Sequence, residues 1–252
     1  TSQKLKIKVA HVEGGIRSND WGMPEEINRL ITDSISNYFF TTSATANLNL
    51  KKSGYRDDQI FFVGNTMIDT LLSNMSRFKK PDIWDQLNLS EKKYIVMTLH
   101  RPANVDEESK LRLLIKEILS NTEDTPLIFP VHPRTKKILT ELGINHPRLF
   151  MVDPMSYLEF NYLVSRSLAV LTDSGGITEE ATVMRIPCMT LRDNTERPET
   201  ITIGTNELIG TDPKNIAPAM HKLFSGDWKI GDIPELWDGN AASRIVEILI
   251  SI

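Results

Sequence analysis

LAVLTDSGGITEEAT, residues 168–182, begins as an apolar run, ends that run on Asp173 and Ser174, and passes through two glycines into a stretch with helical spacing. This order of residues predicts a buried strand, a glycine-rich turn and a helix that begins near Ile177. The stretch decides the fold, because a strand followed by a helix is the repeating unit of parallel α/β sheets.

The same alternation continues along the rest of the chain. Short apolar runs typical of buried strands alternate with amphipathic stretches at helical spacing, which predicts an α/β protein with parallel sheets covered by helices on both faces. The strand candidates are KIKVAHV, NYFFTT, IFFVG, YIVMTL, PLIFPVH, LFMVD, LAVLTD and PCMTL. Strand patterning lapses at residues 73–93, so we expect domains at 1–78 and 79–238, with a helix at 239–252 that packs back on the first domain.

The composition narrows the class of protein. The chain has 252 residues, 40% hydrophobic and 25% charged, which is typical of a soluble globular protein with core enough for two modest domains. A net charge of −4 argues against a nucleic-acid partner. The single cysteine, Cys188, permits no internal disulfide, and no apolar stretch is long enough to span a bilayer. We therefore expect a cytoplasmic protein.

Polar and glycine-rich tips follow six of the predicted strands. In doubly wound sheets, ligands bind beyond the carboxyl ends of the strands, so these tips should line one long cleft or two facing ones. The tips are HVEGGIRS, GNT, HRPAN, HPR, DSGG and RDNTERPE.

The DSGG tip has two readings. Gly175 and Gly176 allow a ligand to approach the backbone closely, and the N-terminus of the following helix favours a phosphate. Glu180, one turn inside that helix, could then accept hydrogen bonds from a ribose diol. The alternative is a tight strand-to-helix turn whose acids complement the helix dipole, and spacing alone does not decide between the two.

Glu13, Glu25 and His100 are the candidates for acid–base chemistry at these tips. Each also has a structural reading. Glu13 could pair with Arg17 or Arg29, Glu25 could complement the dipole of a helix that starts with proline, and His100 could belong to a polar pair at a strand end. Carboxylates and a histidine at strand tips suit proton transfer on a sugar.

Taken together, the motifs resemble the non-hydrolysing UDP-N-acetylglucosamine 2-epimerases along essentially the whole chain. The motifs that carry the resemblance are, in order, HVEGGIRS, MPEEINRLITD, IFFVGNTMIDTLL, TLHRPANVD, FPVHPRT, LTDSGGITEEA and RDNTERPE. The resemblance implies α/β architecture with two Rossmann-like domains facing each other across a cleft, as in GT-B glycosyltransferases. The family's GTRPE phosphate loop and GDT-like aspartate motif have no counterpart here. We therefore expect a first domain incomplete at its N-terminus, and a chain that binds UDP but turns over negligibly.

The resemblance also implies a reaction. UDP-GlcNAc and UDP-ManNAc interconvert by loss of the C2 proton and of UDP, through a 2-acetamidoglucal, without a redox cofactor or a metal. A homodimer is implied for the full-length protein, with UDP-GlcNAc, UDP-ManNAc and UDP as ligands. The alternatives are a hydrolysing UDP-GlcNAc 2-epimerase, a GT-B glycosyltransferase and an inactive UDP-binding fragment.

The resemblance assigns roles to individual residues. Glu13 and Glu25 match the catalytic carboxylates, and His100 matches the histidine that supports the departing diphosphate. Met155 and Phe160 fall where the family grips uracil, although Met155 replaces a polar residue, so a main-chain contact is expected there. Ala103 replaces an acid in HRPAN. The residues that match other UDP contacts are Ser174, Gly175, Gly176, Glu180 and Arg197.

Overall fold

The computed structural model describes residues 1–105, 107–131 and 133–252. His132 of the expected HPR tip and the side chain of Ala103 lie outside the described residues. The described chain divides into two compact units. Unit 1 consists of Thr1–Met75, Asn194–Ile203 and Ile233–Ile252, and unit 2 of Ser76–Asp193 and Gly204–Asp232.

The elements alternate as the sequence predicts. The strands are β1 (Ala10–Val12), β2 (Tyr38–Thr41), β3 (Ile60–Phe62), β4 (Ile95–Thr98), β5 (Leu127–Pro130), β6 (Leu149–Val152), β7 (Ala169–Thr172), β8 (Cys188–Thr190) and β9 (Asn206–Leu208). The helices are α1 (Pro24–Ser34), α2 (Ala44–Lys52), α3 (Thr66–Asn74), α4 (Ile83–Gln86), α5 (Pro102–Val105), α6 (Glu108–Ser120), α7 (Pro133–Glu141), α8 (Tyr157–Arg166), α9 (Gly175–Val183), α10 (Pro198–Thr202), α11 (Ile216–Phe224) and α12 (Ala241–Ser251). None of these helices, within the described ranges, is long and apolar enough to cross a membrane.

Unit 2 contains a six-stranded parallel sheet in the order β6-β5-β4-β7-β8-β9. Its strands are apolar on both faces: Ile95 and Met97 of β4 join one core cluster, while Tyr94 and Val96 join the other. This alternation is the pattern of a parallel sheet with helices on both sides. The order is that of a Rossmann-type sheet, whose topological switch point lies between β4 and β7.

Unit 1 is built on a three-stranded parallel sheet in the order β1-β2-β3. Phe39 and Phe40 of β2 are buried. Gly15, after β1, has φ +79°, and a Cβ at this position would lie 2.4 Å from the Ala46 carbonyl oxygen, so the loop requires glycine. The fold class expected from the sequence, α/β with parallel Rossmann-like sheets, is confirmed.

The limits of the second domain differ from the expected 79–238. Residues 194–203 and 233–238 belong to unit 1 instead, together with the C-terminal helix. Trp237 explains part of the difference, because it is buried at 2% exposure and its indole N–H donates to the Thr42 carbonyl at 3.0 Å. The carboxylate of Asp69 on α3 accepts the backbone N–H groups of Ala241 and Ala242 at 3.1 and 2.7 Å, which attaches the start of α12 to the same unit.

Two local features also differ from the sequence interpretation. The run KIKVAHV forms a strand only at Ala10–Val12, and Ser2–Leu5 forms a 3-10 helix. Strand β9 was not among the strand candidates, because its sequence NEL carries two polar residues. Asn206 nevertheless lies fully buried in the sheet, where its side-chain oxygen accepts from the Thr190 hydroxyl at 2.7 Å.

Candidate functional site

The carboxylate of Asp173 organises the switch point of unit 2. It follows β7, is fully buried, and accepts the backbone N–H groups of His100 and Arg101 at 3.0 and 2.9 Å. It also accepts the side-chain amide of Asn104 at 3.1 Å and His100 Nδ1 at 2.7 Å. The Arg101 Nε–H in turn donates to the Asp173 carbonyl oxygen at 2.9 Å. One buried carboxylate thus joins the tip after β4 to the tip after β7.

These contacts set the protonation of the pair. Burial raises the pKa of Asp173, but the hydrogen bonds from His100, Arg101 and Asn104 outweigh burial, and the net pKa lies below its usual range. The hydrogen bond that His100 donates to Asp173 raises the pKa of His100, against a smaller opposing effect of desolvation. The His100 side chain is 62% exposed while its Nδ1 is bound to Asp173. The ring therefore offers Nε2 to a ligand and favours the cationic form.

Helix α9 begins at Gly175, two residues before the expected start at Ile177. The glycines therefore form its first turn, and Ser174 is its N-cap residue without a side-chain cap bond. The first N–H groups of a helix have no partner within the helix and carry partial positive charge, so this end can hold an anion. The first turn contains no acid, and Glu180 lies in the second turn. The interpretation of the acids as dipole partners at the helix start is therefore wrong.

Glu180 is held by a residue that the sequence interpretation did not single out. The Tyr157 hydroxyl, at the start of α8, donates to Glu180 Oε1 at 2.8 Å. Burial raises the pKa of Glu180, with the Tyr157 hydroxyl acting in the opposite direction. The same hydrogen bond adds to the effect of burial in raising the pKa of Tyr157. The sequence offers one indication of this contact: Tyr157, two residues after Met155, carries a hydroxyl that can donate to a carboxylate.

Met155 and Phe160 lie close to this pair along the chain. Both are partly buried and pack against the same core cluster as Ile177 of α9. Phe160 sits on α8, whose first turn is fixed by a capping box between Ser156 and Glu159. The apolar candidates and the start of α9 therefore share one side of the unit 2 sheet.

Glu13 follows β1 in unit 1 and has φ 68°, a left-handed backbone conformation that is uncommon outside glycine. Its N–H donates to the Phe40 carbonyl at 2.9 Å. Its carboxylate pairs with Arg197 at 3.3 Å, and not with Arg17 or Arg29, the partners in the alternative structural reading of Glu13. Arg197 therefore belongs with Glu13 in unit 1, although the sequence interpretation assigned it to the second domain.

The loop that carries Glu13 is fixed by Asp33, a buried residue of α1. Asp33 Oδ1 contacts His11 Nδ1 at 2.6 Å, and Oδ2 accepts the Gly15 N–H at 3.2 Å and the Arg17 guanidinium. The sequence interpretation missed both His11 and Asp33. His11 lies in the motif HVEGG, beside Glu13, but its partner Asp33 is 22 positions further along the chain, so the sequence does not indicate their contact.

The two acids of the PEE segment have different environments. Glu26 is 2% exposed and accepts the N–H groups of Ser18 and Asn19 at 2.8 and 3.1 Å. Glu25 is exposed in the first turn of α1, and within the described residues no hydrogen bond or ion pair holds its carboxylate. Glu26 therefore fixes a loop, whereas Glu25 is available to a substrate.

The structure gathers the predicted residues into two groups. His100, Ser174, Gly175 and Gly176 lie at the switch point of unit 2, with Glu180 further along α9. Glu13 and Arg197 are paired in unit 1, where Glu25 begins α1. Within the described residues, no cluster of three or more His, Cys, Asp or Glu side chains could hold a metal ion.

A Rossmann-type sheet with an anion-binding helix N-terminus at its switch point is the architecture of nucleotide-binding enzymes. The family model for UDP-N-acetylglucosamine 2-epimerase matches residues 1–250. The chain belongs to the UDP-N-acetylglucosamine 2-epimerase family.

Individual relatives show how far the similarity extends. The UDP-N-acetylglucosamine 2-epimerase of Methanocaldococcus jannaschii is 40% identical over 98% of this chain and 70% of its own length. A crystal structure of that enzyme with UDP-GlcNAc and UDP aligns with a TM-score of 0.87, covering 100% of this chain and 71% of the other. The UDP-2,3-diacetamido-2,3-dideoxy-D-glucuronate 2-epimerase of Pseudomonas aeruginosa is 37% identical over 98% of this chain and 69% of its own.

Proposed function

We propose, in place of the negligible turnover expected from the sequence, that this protein interconverts UDP-GlcNAc and UDP-ManNAc by inverting the configuration at C2 of the sugar. The observation that carries the proposal is the family match over residues 1–250. It is supported by the likeness to a relative whose crystal structure contains UDP-GlcNAc and UDP. The charged and polar side chains of both units suit the chemistry that this reaction needs.

In this proposal, unit 2 holds the UDP part of the substrate. The N–H groups at Ser174, Gly175 and Gly176 bind the diphosphate, because helix N-termini favour anions. The Glu180 carboxylate, oriented by Tyr157, accepts hydrogen bonds from the ribose hydroxyls.

The apolar candidates complete the UDP site. Met155 and Phe160 contact the uracil ring, and the main chain at Met155 forms hydrogen bonds with the polar atoms at the edge of the ring. This assignment places the base beside the core cluster that also supports Ile177 at the start of α9.

His100 supports the departure of UDP. The leaving diphosphate gains negative charge as its bond to C1 breaks, and a nearby cation stabilises that charge. Asp173 raises the pKa of His100 and fixes its ring through Nδ1. The cationic form of the ring is therefore favoured, and the ring is oriented, before the bond breaks.

Glu13 and Glu25 supply the acid–base chemistry in unit 1. One carboxylate removes the C2 proton, the C–H electron pair forms the C1–C2 double bond, and UDP leaves from C1 with the C1–O electron pair. Return of a proton to the opposite face of C2 and re-addition of UDP to C1 complete the inversion, so atoms and charge balance. Arg197 holds the Glu13 carboxylate in place through their 3.3 Å contact.

Proton NMR of UDP-GlcNAc incubated with the purified protein in deuterated water tests the proposal. The expected result is loss of the C2 proton signal, since solvent deuterium returns to C2, together with UDP-ManNAc signals. Release of free N-acetylmannosamine would indicate a hydrolysing epimerase instead. Conversion that requires an acceptor would indicate a GT-B glycosyltransferase, and UDP binding without any conversion would indicate a binding protein.

A second substrate is favoured by one specific observation, the 37% identity to an epimerase named for UDP-2,3-diacetamido-2,3-dideoxy-D-glucuronate. That sugar carries an acetamido group at C3 and a carboxylate at C6 in addition to the reacting centre. The ratio of kcat/KM for the two UDP-sugars decides between them. A ratio that favours UDP-GlcNAc supports the first proposal, and the reverse supports the second.

We further infer that the reaction needs no redox cofactor. We also infer that it takes place in the cytoplasm and supplies sugars for polysaccharide synthesis, and that the active protein is a homodimer. The proposed elimination and re-addition exchange only a proton and UDP, so no electron carrier enters the balance. Light scattering of the purified protein tests the homodimer, and a monomeric mass at assay concentration would contradict it.

A further inference from the structure

Unit 2 contains a cavity of about 570 Å³ that the proposed function does not use. It lies between the second half of α6 and residues 143–148, which lead into β6. Both segments are at the amino ends of the strands. The switch point with Asp173 and α9 is at the carboxyl ends, so the cavity lies at the opposite edge of the same sheet.

The lining of the cavity combines cationic and apolar side chains. Arg112 and Lys116 come from α6, and His146 and Arg148 come from the segment before β6. Between them lie apolar side chains of both segments: Ile115, Leu119 and Ile144. Cations around an apolar wall match a ligand that carries phosphate on an organic ring.

The two arginines are held in position without losing their binding capacity. Arg148 Nη2 donates to the Leu119 carbonyl at 3.3 Å, and Arg112 Nη2 donates to the Leu142 carbonyl. A guanidinium has five N–H donors, and each of these bonds uses one of them. Because the side chains are already ordered, binding an anion costs less conformational entropy.

Lys116 and His146 add donors to the same space. Among the described residues, no acceptor holds the Lys116 ammonium. His146 Nδ1 accepts the Arg148 N–H at 3.3 Å, which leaves Nε2 to carry the ring proton and to donate.

The described residues that line the cavity include no acid that could neutralise these cations. The C-termini of α6 and α7 contribute roughly −0.5 elementary charge each. Asp124 pairs with Arg148 at 3.7 Å and is fully exposed, so solvent screens much of its charge. Three permanent cations therefore leave an excess of positive charge in a space that is large enough for a small molecule.

We propose that this cavity binds a small organic phosphate of nucleotide size, at a site separate from the UDP site at α9. The phosphate contacts Arg112, Lys116 and Arg148, and the organic ring packs on Leu119 and Ile144. Because the site lies in unit 2 at the other edge of the sheet, its occupation does not require the active site to be empty.

Methyl NMR of isoleucine-labelled protein, titrated with ADP in the presence of saturating UDP, tests this proposal. Ile115 and Ile144 report on the cavity, and Ile177 reports on the start of α9. The expected result is saturable shifts of the Ile115 and Ile144 methyl signals. Lys116→Glu should weaken ADP binding by about tenfold or more, which corresponds to about 1.4 kcal/mol.

Lys110→Glu is the matched control, because Lys110 lies on the same helix and pairs with Glu107 outside the cavity. It makes the same change in net charge and should alter ADP affinity by less than about twofold. Absence of Ile115 and Ile144 shifts at millimolar ADP in folded protein would overturn the proposal. So would shifts confined to Ile177, or equal weakening by both charge reversals.

Discussion

Replacing Asp173 by asparagine should remove much of the stability of the unit 2 switch point. Asparagine keeps the shape of the side chain and can keep one oxygen towards the N–H groups of His100 and Arg101 and the Asn104 amide. Hydrogen bonds to a charged acceptor contribute about 1.5–3 kcal/mol each and neutral ones about 0.5–1.5 kcal/mol, so three bonds lose about 3 kcal/mol together. For a chain of this size, that corresponds to a melting temperature about 6–12 °C lower.

The substitution should also change the chemistry of His100. The new amide donates where the carboxylate accepted, so His100 Nδ1 must accept a hydrogen bond and the ring becomes neutral. Turnover should therefore fall by more than the loss of folded protein accounts for.

Thermal unfolding followed by circular dichroism, with C2 exchange measured below the melting temperature, checks both effects. Asp153→Asn is the matched control, because Asp153 follows β6 at the edge of the same sheet and is exposed, and it should shift stability by less than about 0.5 kcal/mol. An Asp173→Asn protein that melts within about 2 °C of wild type and keeps its turnover would refute the role assigned to the carboxylate.

Four further substitutions address other parts of the site. Glu25→Gln should lower turnover by about 10²-fold or more while the melting curve stays native. Glu26→Gln should lower the melting temperature, because Glu26 is buried and accepts the N–H groups of Ser18 and Asn19. Calorimetry and a rate assay check both variants, and the reverse pattern would mean that the two residues have each other's role. Gly176→Val, in the first turn of α9, should weaken UDP binding in isothermal titration while the protein stays folded, and unchanged affinity would mean that DSGG is only a turn. His100 has a raised folded pKa, so its stabilisation is complete below the unfolded value near 6.5 and is lost as pH rises through the folded value. The loss should stay below about 1 kcal/mol because the side chain is 62% exposed, and a pH series of urea unfolding in which His100→Gln retains the same decline would contradict this assignment.

The sequence predicted the parts of this molecule that depend on local pattern. Apolar runs of a few residues that alternate with helical spacing identified β4 and β7, and their polar ends placed the candidate site at the tips HRPAN and DSGG. Strand order is not local, but parallel strands with helical crossovers permit few arrangements, and the observed order is the common Rossmann-type one.

The contacts that the sequence could not predict join distant residues. Arg197 and Glu13 are 184 positions apart, and Trp237 and Thr42 are 195 positions apart. These contacts attach residues 194–203 and 233–252 to unit 1. The predicted start of α9 near Ile177 is two residues late, because glycine normally lowers helix propensity.

The PEE segment shows why a motif alone does not separate a catalytic from a structural acid. Consecutive residues on a helix point about 100° apart, so Glu25 and Glu26 at the start of α1 cannot face the same surroundings. Glu26 turns towards the loop at residues 18–19 and accepts the backbone N–H groups of the buried Ser18 and of Asn19. That bond fixes the segment between the Glu13 loop and α1, and it leaves Glu25 on the exposed side of the same turn. Glu26 therefore orders the backbone, and under the proposed function this order determines where the Glu25 carboxylate would meet the substrate.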